Sequence, residues 1–402
     1  MGLWGFRKKV DETLNPYIKI NSKRKIPVII CYSGSGKLVK NKIISNNGKL
    51  GYEYENLNAF SCELSPLTID KLSEIPEVSY ICFDYKATLC IRKSSETLGL
   101  GYAKLFKLTG KNIGIGLVDS GVYPHPDLIH KRRAVHFFQD LINGHDKPYD
   151  DNGHGTFLCG CIAASGYSSD GLYSGIAPDS NISVIKAFDA SGNGFVSDII
   201  KAIDILITIR NEKNIRIICL PFEITNLVKL KINPLEIIIK KALALNITLI
   251  VPSGNQGPHP YSIYCPGNIK EVVTVGGIDN TFINIKNYKV PSFSGRGPTM
   301  EGFQKPDICA PCISITSLST DTSYNPGLKK IDNLKNAYSV KSGTSVSCAL
   351  ICGFAALLLE KNPELSPLDL KSILCLSTIS IGEGKYSQGN GLFIFDKASE
   401  IK

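Results

Sequence analysis

The sequence predicts an α/β fold in which helices cover both faces of a mostly parallel central sheet. Two observations carry this prediction. Short, β-branched apolar runs recur beyond residue 110, at 113–118, 182–187, 215–220, 247–251 and 271–276. Helical patterns alternate with them, at about 154–165, 196–210, 234–245, 344–360 and 366–375. Because doubly covered parallel strands appear as continuous apolar runs, the alternation indicates a three-layer α/β sandwich.

A small α+β unit precedes this sheet. Its strands are predicted at 26–33, 57–64, 78–83 and 86–91. A helix is predicted after Ser65, with Pro66 in its first turn, where a missing N–H costs nothing. The polar stretch 92–96 is typical of a linker. We therefore expect two domains, at 1–95 and 96–402.

Composition bounds the class of protein. With 402 residues, 43% of them hydrophobic and 20% charged, the chain can bury a sizeable core. The net charge of +9 is dispersed along the chain, and the sequence contains no nucleic-acid-binding motif. We therefore expect no nucleic-acid partner. The sequence shows neither an export signal nor an apolar run that spans a bilayer. Since the thirteen cysteines are scattered, we expect reduced thiols in a cytoplasmic protein without membrane attachment.

Three glycine-flanked segments bring together the groups that a serine nucleophile needs. The segments are 114–121, 151–156 and 342–347. They supply the carboxylate of Asp119, the imidazole of His154 and the hydroxyl of Ser345. A hydroxyl nucleophile requires a base that takes its proton and an acid that orients the base. The three segments therefore predict one catalytic site.

Two further features predict an oxyanion hole. Ser345 lies in the first turn of an apolar helix, whose N-terminal N–H groups favour negative charge. Asn255 follows the buried run 247–251, where its side chain can supply a second donor. Taken alone, each of the three reactive residues also has an ordinary interpretation. Asp119 could be a turn aspartate, His154 a structural histidine and Ser345 a first-turn serine. Their combination is far more specific than its parts.

The motifs resemble those of subtilisin-like serine proteases, the subtilases, over roughly residues 100–395. The stretches that carry the resemblance are 118–122, 152–156, 253–255 and 342–345, supported by 175–178, 264–267, 293–298 and 305–311. The order Asp, His, Ser along the chain is also that of subtilisin. The stretches 123–128 and 147–152 resemble the cytoplasmic subtilases of spore-forming bacteria.

The resemblance implies roles for each site residue. Ser345 attacks the scissile carbonyl, His154 transfers the proton, and Asp119 orients the imidazole. Asn255 and the backbone N–H of Ser345 bind the oxyanion. Residues 1–95 resemble an inhibitory propeptide that assists folding, which implies a zymogen that cleaves itself near residues 86–98.

The resemblance also implies a substrate cleft lined by five residues, and two of them depart from the family pattern. The five are Leu220, Pro221, Ser253, Gly254 and Tyr264. Pro221 replaces a residue whose N–H pairs with the substrate backbone, so we expect the loss of one hydrogen bond. Tyr264 stands where small residues are common and is expected to narrow the primary specificity pocket against bulky aromatic side chains.

Metal sites are weakly indicated. Cys159 and Cys161 form a Cys-x-Cys pair near His154, but a second ligand pair is missing, which favours buried structural thiols over zinc. Asp127 matches a calcium-ligating position of some subtilases, with the loop 166–174 beside it; a turn aspartate is the alternative. We expect no metal at the catalytic site and no required cofactor, while calcium stays an open alternative.

The leading interpretation is a serine endopeptidase whose partners are protein or peptide substrates and its own propeptide. Two alternatives remain. A pseudoprotease that binds peptides without cutting them is favoured by Pro221 and disfavoured by the complete set Asp119, His154, Asn255 and Ser345. An esterase is disfavoured because the sequence lacks a Gly-x-Ser-x-Gly elbow and places its aspartate first.

Overall fold

A computed structural model describes residues 9–19, 25–90, 92–93, 108–225, 232–281, 285–327 and 334–400. The chain forms two compact units. The first comprises Met1–Lys86, Phe195–Thr208 and Asn226–Lys241, and the second comprises Ala87–Gly194, Ile209–Thr225 and Ala242–Lys402. The domain boundary between residues 95 and 96 stays a prediction. Most of the predicted linker, residues 94–96, lies outside the described residues.

The first unit contains a four-stranded antiparallel sheet. Its strands lie in the order Lys49–Glu53, Ala59–Leu64, Ile26–Tyr32 and Val78–Phe83. In the central strand, Ile30 lies opposite Phe60 on one side and Ile81 on the other, and all three are buried. The helix Pro66–Ser73 begins where the sequence predicts it, because the Ser65 hydroxyl accepts the N–H of Thr68.

The second unit is built on a large, mostly parallel sheet. Within the described residues it has nine strands, in the order Thr378–Ile379, Leu392–Phe393, Ile308–Pro311, Val273–Ile278, Thr248–Pro252, Ile215–Cys219, Gly114–Asp119, Asn181–Lys186 and Val135–Asp140. Neighbouring strands are parallel except Thr378–Ile379, which runs antiparallel at the edge. Every residue of Gly114–Asp119 and Val273–Ile278 is buried, which explains their continuous apolar sequences. The predicted α/β class is confirmed.

The other described elements complete the fold. The helices are Asn15–Lys19, Gly36–Ser45, Pro66–Ser73, Pro126–Ile129, His154–Ala163, Val196–Thr208, Pro234–Ala244, Thr344–Lys361, Pro367–Leu376, Lys385–Gln388 and Phe395–Glu400. Short sheets contain the strands Lys86–Leu89, Arg92–Lys93, Asn193–Phe195, Phe222–Glu223, Ile315–Leu318 and Tyr338–Ser342. Thr344–Lys361 is long and apolar enough to cross a membrane, but 83% of it is buried in the protein, as in a core helix.

The topology brings the predicted site residues to one edge of the central sheet. Asp119 is the last residue of its strand, and Asn255 follows the end of Thr248–Pro252. The helices His154–Ala163 and Thr344–Lys361 pack against each other and against this sheet. Because the carboxyl ends of parallel strands share one edge, functional groups collect there.

Candidate active site

Asp119 and His154 form a buried hydrogen-bonded pair. His154 is the first residue of its helix, and its Nδ1 lies 2.8 Å from both carboxylate oxygens of Asp119. The backbone N–H of Ser120 donates to Asp119 Oδ1 at 2.6 Å. Both side chains are fully buried. A carboxylate in this position holds the imidazole with its proton on Nδ1, so that Nε2 is free to accept a proton.

A glycine beside His154 permits this close approach. A Cβ atom on Gly155 would lie 2.1 Å from the backbone oxygen of Gly121 and 3.2 Å from the Asp119 carboxylate. Any larger residue would therefore push the helix away from the strand that carries Asp119. The glycine that the sequence pattern singled out has a steric role in assembling the pair.

Ser345 completes the arrangement. It is the second residue of the helix Thr344–Lys361, and its Oγ lies 3.2 Å from His154 Nε2. The serine is fully buried. Its place in the first turn puts the reactive oxygen among backbone N–H groups that have no partner within the helix. The three side chains thus lie in one hydrogen-bonded row, which is the geometry of a Ser-His-Asp triad.

Asn255 lies beside the start of the serine helix. Its side-chain oxygen accepts hydrogen bonds from the backbone N–H of Thr344 at 3.2 Å and from the Thr344 hydroxyl at 3.0 Å. Because the oxygen is engaged by two donors, the amide nitrogen is the end that can donate to an oxyanion. The sequence identified Asn255 but not Thr344, which lies 89 residues away and fixes the amide orientation.

A segment of the chain itself occupies the site. The strand Lys86–Leu89 pairs antiparallel with Phe222–Glu223, and Arg92–Lys93 pairs with Tyr338–Ser342. Between them, the carbonyl oxygen of Cys90 lies 2.5 Å from Ser345 Oγ. Ile91 lies outside the described residues. The peptide carbonyl of Cys90 is therefore in contact with the nucleophile.

The cleft wall at Pro221 retains backbone pairing despite the missing N–H. The carbonyl oxygen of Pro221 accepts the N–H of Cys90 at 3.3 Å, and Phe222 lies opposite Leu89 in the antiparallel register. Leu220 is buried and donates its N–H to Ile250. The predicted departure thus removes one donor from the wall without removing the strand that the peptide segment joins.

The remaining predicted cleft residues take different positions. A Cβ atom on Gly254, which has φ +87°, would lie 2.3 Å from the carboxylate of Glu223. Ser253 Oγ lies 3.2 Å from Ser294 Oγ and so points to that residue. Tyr264 is half-buried, and its carbonyl oxygen accepts the N–H of Asn268 in its own loop. The role of Tyr264 in narrowing the pocket stays a prediction.

Asp150 is a functional residue that the sequence analysis missed. Its fully buried carboxylate accepts hydrogen bonds from the Ser120 hydroxyl, from both the N–H and the hydroxyl of Thr156, and from the N–H of Gly153. Burial opposes ionisation, but these hydrogen bonds outweigh it and lower the pKa of Asp150. Asp150 thereby ties the turn after Asp119 to the start of the His154 helix.

We expect Asp150→Asn to destabilise the protein by about 3 kcal/mol at pH 7, because an amide cannot accept all of these hydrogen bonds. A group whose pKa is lowered on folding contributes stability above its unfolded pKa of about 3.8 and loses it as the pH falls further. The difference in the free energy of unfolding between Asp150→Asn and its parent should therefore shrink below that pH. Urea unfolding at pH 7 and pH 3, on a Ser345→Ala background that prevents autolysis, measures it.

Asp146→Asn is the matched control for this prediction, since Asp146 is exposed. It should leave the free energy of unfolding within about 0.5 kcal/mol of the parent at both pH values. An Asp150→Asn protein as stable as this control at pH 7 would contradict the assigned role.

The cysteines and Asp127 have ordinary partners. Cys159 and Cys161 are buried, and burial is the largest cause that raises their thiol pKa, to about 12 for Cys161. This environment suits structural thiols. Asp127 Oδ1 accepts the N–H of Ser168 at 3.0 Å, and Oδ2 accepts the Tyr338 hydroxyl at 2.7 Å. These two donors are those of an ordinary turn aspartate, and the calcium alternative stays a prediction.

Comparison with known proteins agrees with this geometry. The model of the subtilase family, Peptidase_S8, matches residues 110–392. Serine protease AprX of Bacillus subtilis (strain 168) is 32% identical over 409 residues, an alignment that covers 92% of this chain and 89% of AprX. Subtilisin E of the same organism is 27% identical over 370 residues, with 90% and 86% covered.

A solved structure is similar in fold. Fervidolysin from Fervidobacterium pennivorans, described as a keratinolytic enzyme related to subtilisin, superimposes with a TM-score of 0.74 at 18% identity. The match covers 94% of this chain and 61% of fervidolysin, so this chain spans about three fifths of that protein. At this identity the likeness shows a common fold.

A serine, a histidine and an aspartate in hydrogen-bonded sequence at the edge of an α/β sheet define the class of serine hydrolases. The chain belongs to the subtilase family, and it is a serine-type endopeptidase. Protein substrates follow from that family membership.

Proposed function

We propose that Ser345, His154 and Asp119 are the catalytic triad of this endopeptidase and that its first substrate is its own chain. The observation that carries the proposal is the 2.5 Å contact between Ser345 Oγ and the Cys90 carbonyl oxygen, beside the hydrogen-bonded His154–Asp119 pair. A peptide carbonyl in contact with an activated hydroxyl is arranged as a substrate.

The reaction proceeds through an acyl-enzyme. Ser345 Oγ forms a bond to the scissile carbonyl carbon while its proton passes to His154 Nε2. The C–N bond then breaks, and His154 donates this proton to the leaving amine. Water attacks the resulting ester, loses a proton to His154, and releases the acid while Ser345 regains its hydrogen. Asp119 stabilises the imidazolium at each stage and stays ionised.

The oxyanion forms next to two donors. One is the backbone N–H of Ser345 at the start of its helix, and the other is the side-chain amide of Asn255. Thr344 supports this assignment because its two hydrogen bonds hold the amide oxygen away from the reacting carbonyl. Fixed donors of this kind stabilise the charge that develops in the transition state.

Residues up to Cys90 act as a propeptide in this proposal, and the scissile bond joins Cys90 to Ile91. This bond lies within the range 86–98 expected for self-cleavage. Pairing on both sides, of Lys86–Leu89 with Phe222–Glu223 and of Arg92–Lys93 with Tyr338–Ser342, supports a peptide bound across the site. The uncleaved segment would block the cleft, as in a zymogen.

The remaining expectations stay part of the proposal. Catalysis uses side chains and backbone groups alone, so the enzyme requires no cofactor, and calcium stays an alternative with Asp127 as its expected ligand. Thirteen free cysteines among the described residues support a reducing, cytoplasmic location. Neither a nucleic acid nor a membrane is proposed as a partner.

N-terminal sequencing and intact mass of the purified wild-type protein test the proposal. We expect a mature chain that begins at Ile91 and reacts once with a fluorophosphonate. A protein that stays full length and unlabelled would overturn the proposal and favour a peptide-binding pseudoprotease. A mature N-terminus other than Ile91 would refute the assigned cleavage site but not the triad.

A further inference from the structure

Glu223 is a buried carboxylate inside the active-site cleft that the triad chemistry does not use. It is 4% exposed and ends the short strand that pairs with the peptide segment, where it lies opposite Thr88. Its Oε1 accepts hydrogen bonds from Gln256 Nε2 at 2.9 Å and from the Asn255 N–H at 3.3 Å. Buried carboxylates are rare unless their oxygens are paired.

The second oxygen of this carboxylate is unsatisfied. Among the described residues, Glu223 Oε2 has no hydrogen-bond partner, although it is shielded from solvent. Gly254 makes room for it, because a Cβ atom there would approach Oε2 to 2.3 Å. A buried acceptor of this kind is costly, and a ligand that brings a donor relieves the cost.

Cys90 lies two residues beyond Thr88 along the segment, so its side chain is on the same face of the strand as the residue opposite Glu223. The thiol is 1% exposed, and burial followed by the charge of Glu223 raises its pKa well above the ordinary value, so it stays protonated. Burial likewise raises the pKa of Glu223, while hydrogen bonds from Gln256 and Asn255 oppose the shift. The residue before the proposed cut thus presents a short S–H group to the acceptor.

We infer that Glu223 selects substrates whose residue before the cut is short and ends in a hydrogen-bond donor, namely cysteine, serine or threonine. The inference rests on the proposed function, since it takes the contact of Cys90 with Ser345 as that of a bound substrate. Cys90 sets the length, because the residue that the segment itself places before the proposed cut has one atom beyond Cβ. A site with a buried acceptor rejects analogues that lack the matching donor.

The test compares peptides that differ only in the residue before the cut, assayed with the mature wild-type enzyme under reducing conditions. Cysteine and 2-aminobutyrate form the critical pair, since the two side chains have similar size and only the thiol donates. We expect kcat/KM for cysteine and serine to exceed that for aminobutyrate and alanine by at least about tenfold. Equal rates for cysteine and aminobutyrate would overturn the inference.

Two other peptide substrates test how large a side chain the pocket accepts and whether it prefers a positive charge. Phenylalanine should be cleaved at least about tenfold more slowly than cysteine, because it brings bulk and no donor. Lysine brings a donor and a positive charge on a long stem. If lysine or arginine exceeds cysteine by tenfold, the pocket recognises a cation at depth and the short-donor inference is wrong.

Variants of Glu223 assign the preference to this residue. Glu223→Leu removes the acceptor. The ratio of kcat/KM for the cysteine peptide to kcat/KM for the aminobutyrate peptide should then fall to about one or below. Glu223→Gln keeps an oxygen acceptor and should retain part of the preference. Because Glu223 contacts the backbone of Asn255, both variants can be slower overall, but a ratio of two substrates cancels that loss. A ratio unchanged in Glu223→Leu would overturn the inference.

Failure of this inference is distinguishable from failure of the proposed function. If no peptide is cleaved and no fluorophosphonate label is incorporated, the proposed function is wrong and the inference falls with it. If the enzyme is labelled and cleaves peptides without regard to a donor, only the role of Glu223 is refuted.

Discussion

Replacement of Ser345 by alanine is expected to lower the rate of peptide hydrolysis by about 10⁶-fold and to leave the chain uncleaved at Cys90. The substitution removes the oxygen that lies 3.2 Å from His154 Nε2 and 2.5 Å from the Cys90 carbonyl oxygen. Loss of a triad serine costs about this factor in related enzymes, because no covalent intermediate can form. Hydrolysis of an unfolded protein and the intact mass of the purified variant measure both effects.

Ser347→Ala is the matched control. Ser347 lies in the same helix, is equally buried, and donates to the backbone oxygen of Ala310 at 2.9 Å. Its loss should cost about 1 kcal/mol of stability and leave processing and labelling intact. A Ser345→Ala protein, prepared free of wild type, that still lost its first ninety residues through its own activity would contradict the assignment of the nucleophile.

The fold was predictable where burial leaves a simple pattern. Strands such as Gly114–Asp119 and Val273–Ile278 are covered on both faces, so their sequences are continuous apolar runs. The parallel strand Val135–Asp140 was not predicted. Its four central residues are exposed or half-buried and include a histidine and a glutamine. At the edge of a sheet, hydrogen bonding to one neighbour defines a strand that the sequence does not mark.

The triad residues were predictable because each stands in a short glycine-flanked motif, and the geometry brings all three together. The residues that support them were not. Asp150 acts through hydrogen bonds to the Ser120 turn, 30 residues earlier in the chain. Thr344 acts through Asn255, and the role inferred for Glu223 depends on Gly254 and on the segment that ends at Cys90. Contacts between distant segments leave no local pattern in the sequence.

The proline at position 221 shows the limit of inference from one substitution. Its missing N–H removes one donor from the cleft wall. The strand Phe222–Glu223 nevertheless pairs with the segment that ends at Cys90. The carbonyl oxygen of Pro221 accepts the Cys90 N–H, and Phe222 lies opposite Leu89. Antiparallel pairing alternates donors and acceptors along the strand, so one lost donor leaves the rest of the ladder in place.

Replacement of Asp119 by asparagine is expected to lower kcat by about 10⁴-fold with little change in KM, as in other enzymes with this triad. The structure gives a specific reason. The Ser120 N–H donates to Asp119 Oδ1 at 2.6 Å, so an asparagine would place its amide oxygen there. Its NH₂ group would then occupy the position of Oδ2, 2.8 Å from His154 Nδ1.

An NH₂ group this close to Nδ1 donates to that nitrogen in the histidine tautomer that carries its proton on Nε2, and this tautomer leaves Ser345 without an acceptor. The variant therefore folds with an intact site but the wrong histidine tautomer. Asp127→Asn is the control: Asp127 is also a buried carboxylate, but its oxygens contact Ser168 and Tyr338. It should keep kcat within a few-fold of wild type. If Asp119→Asn lost less than tenfold, the proton on His154 would not depend on Asp119, and the carboxylate would have only a structural role.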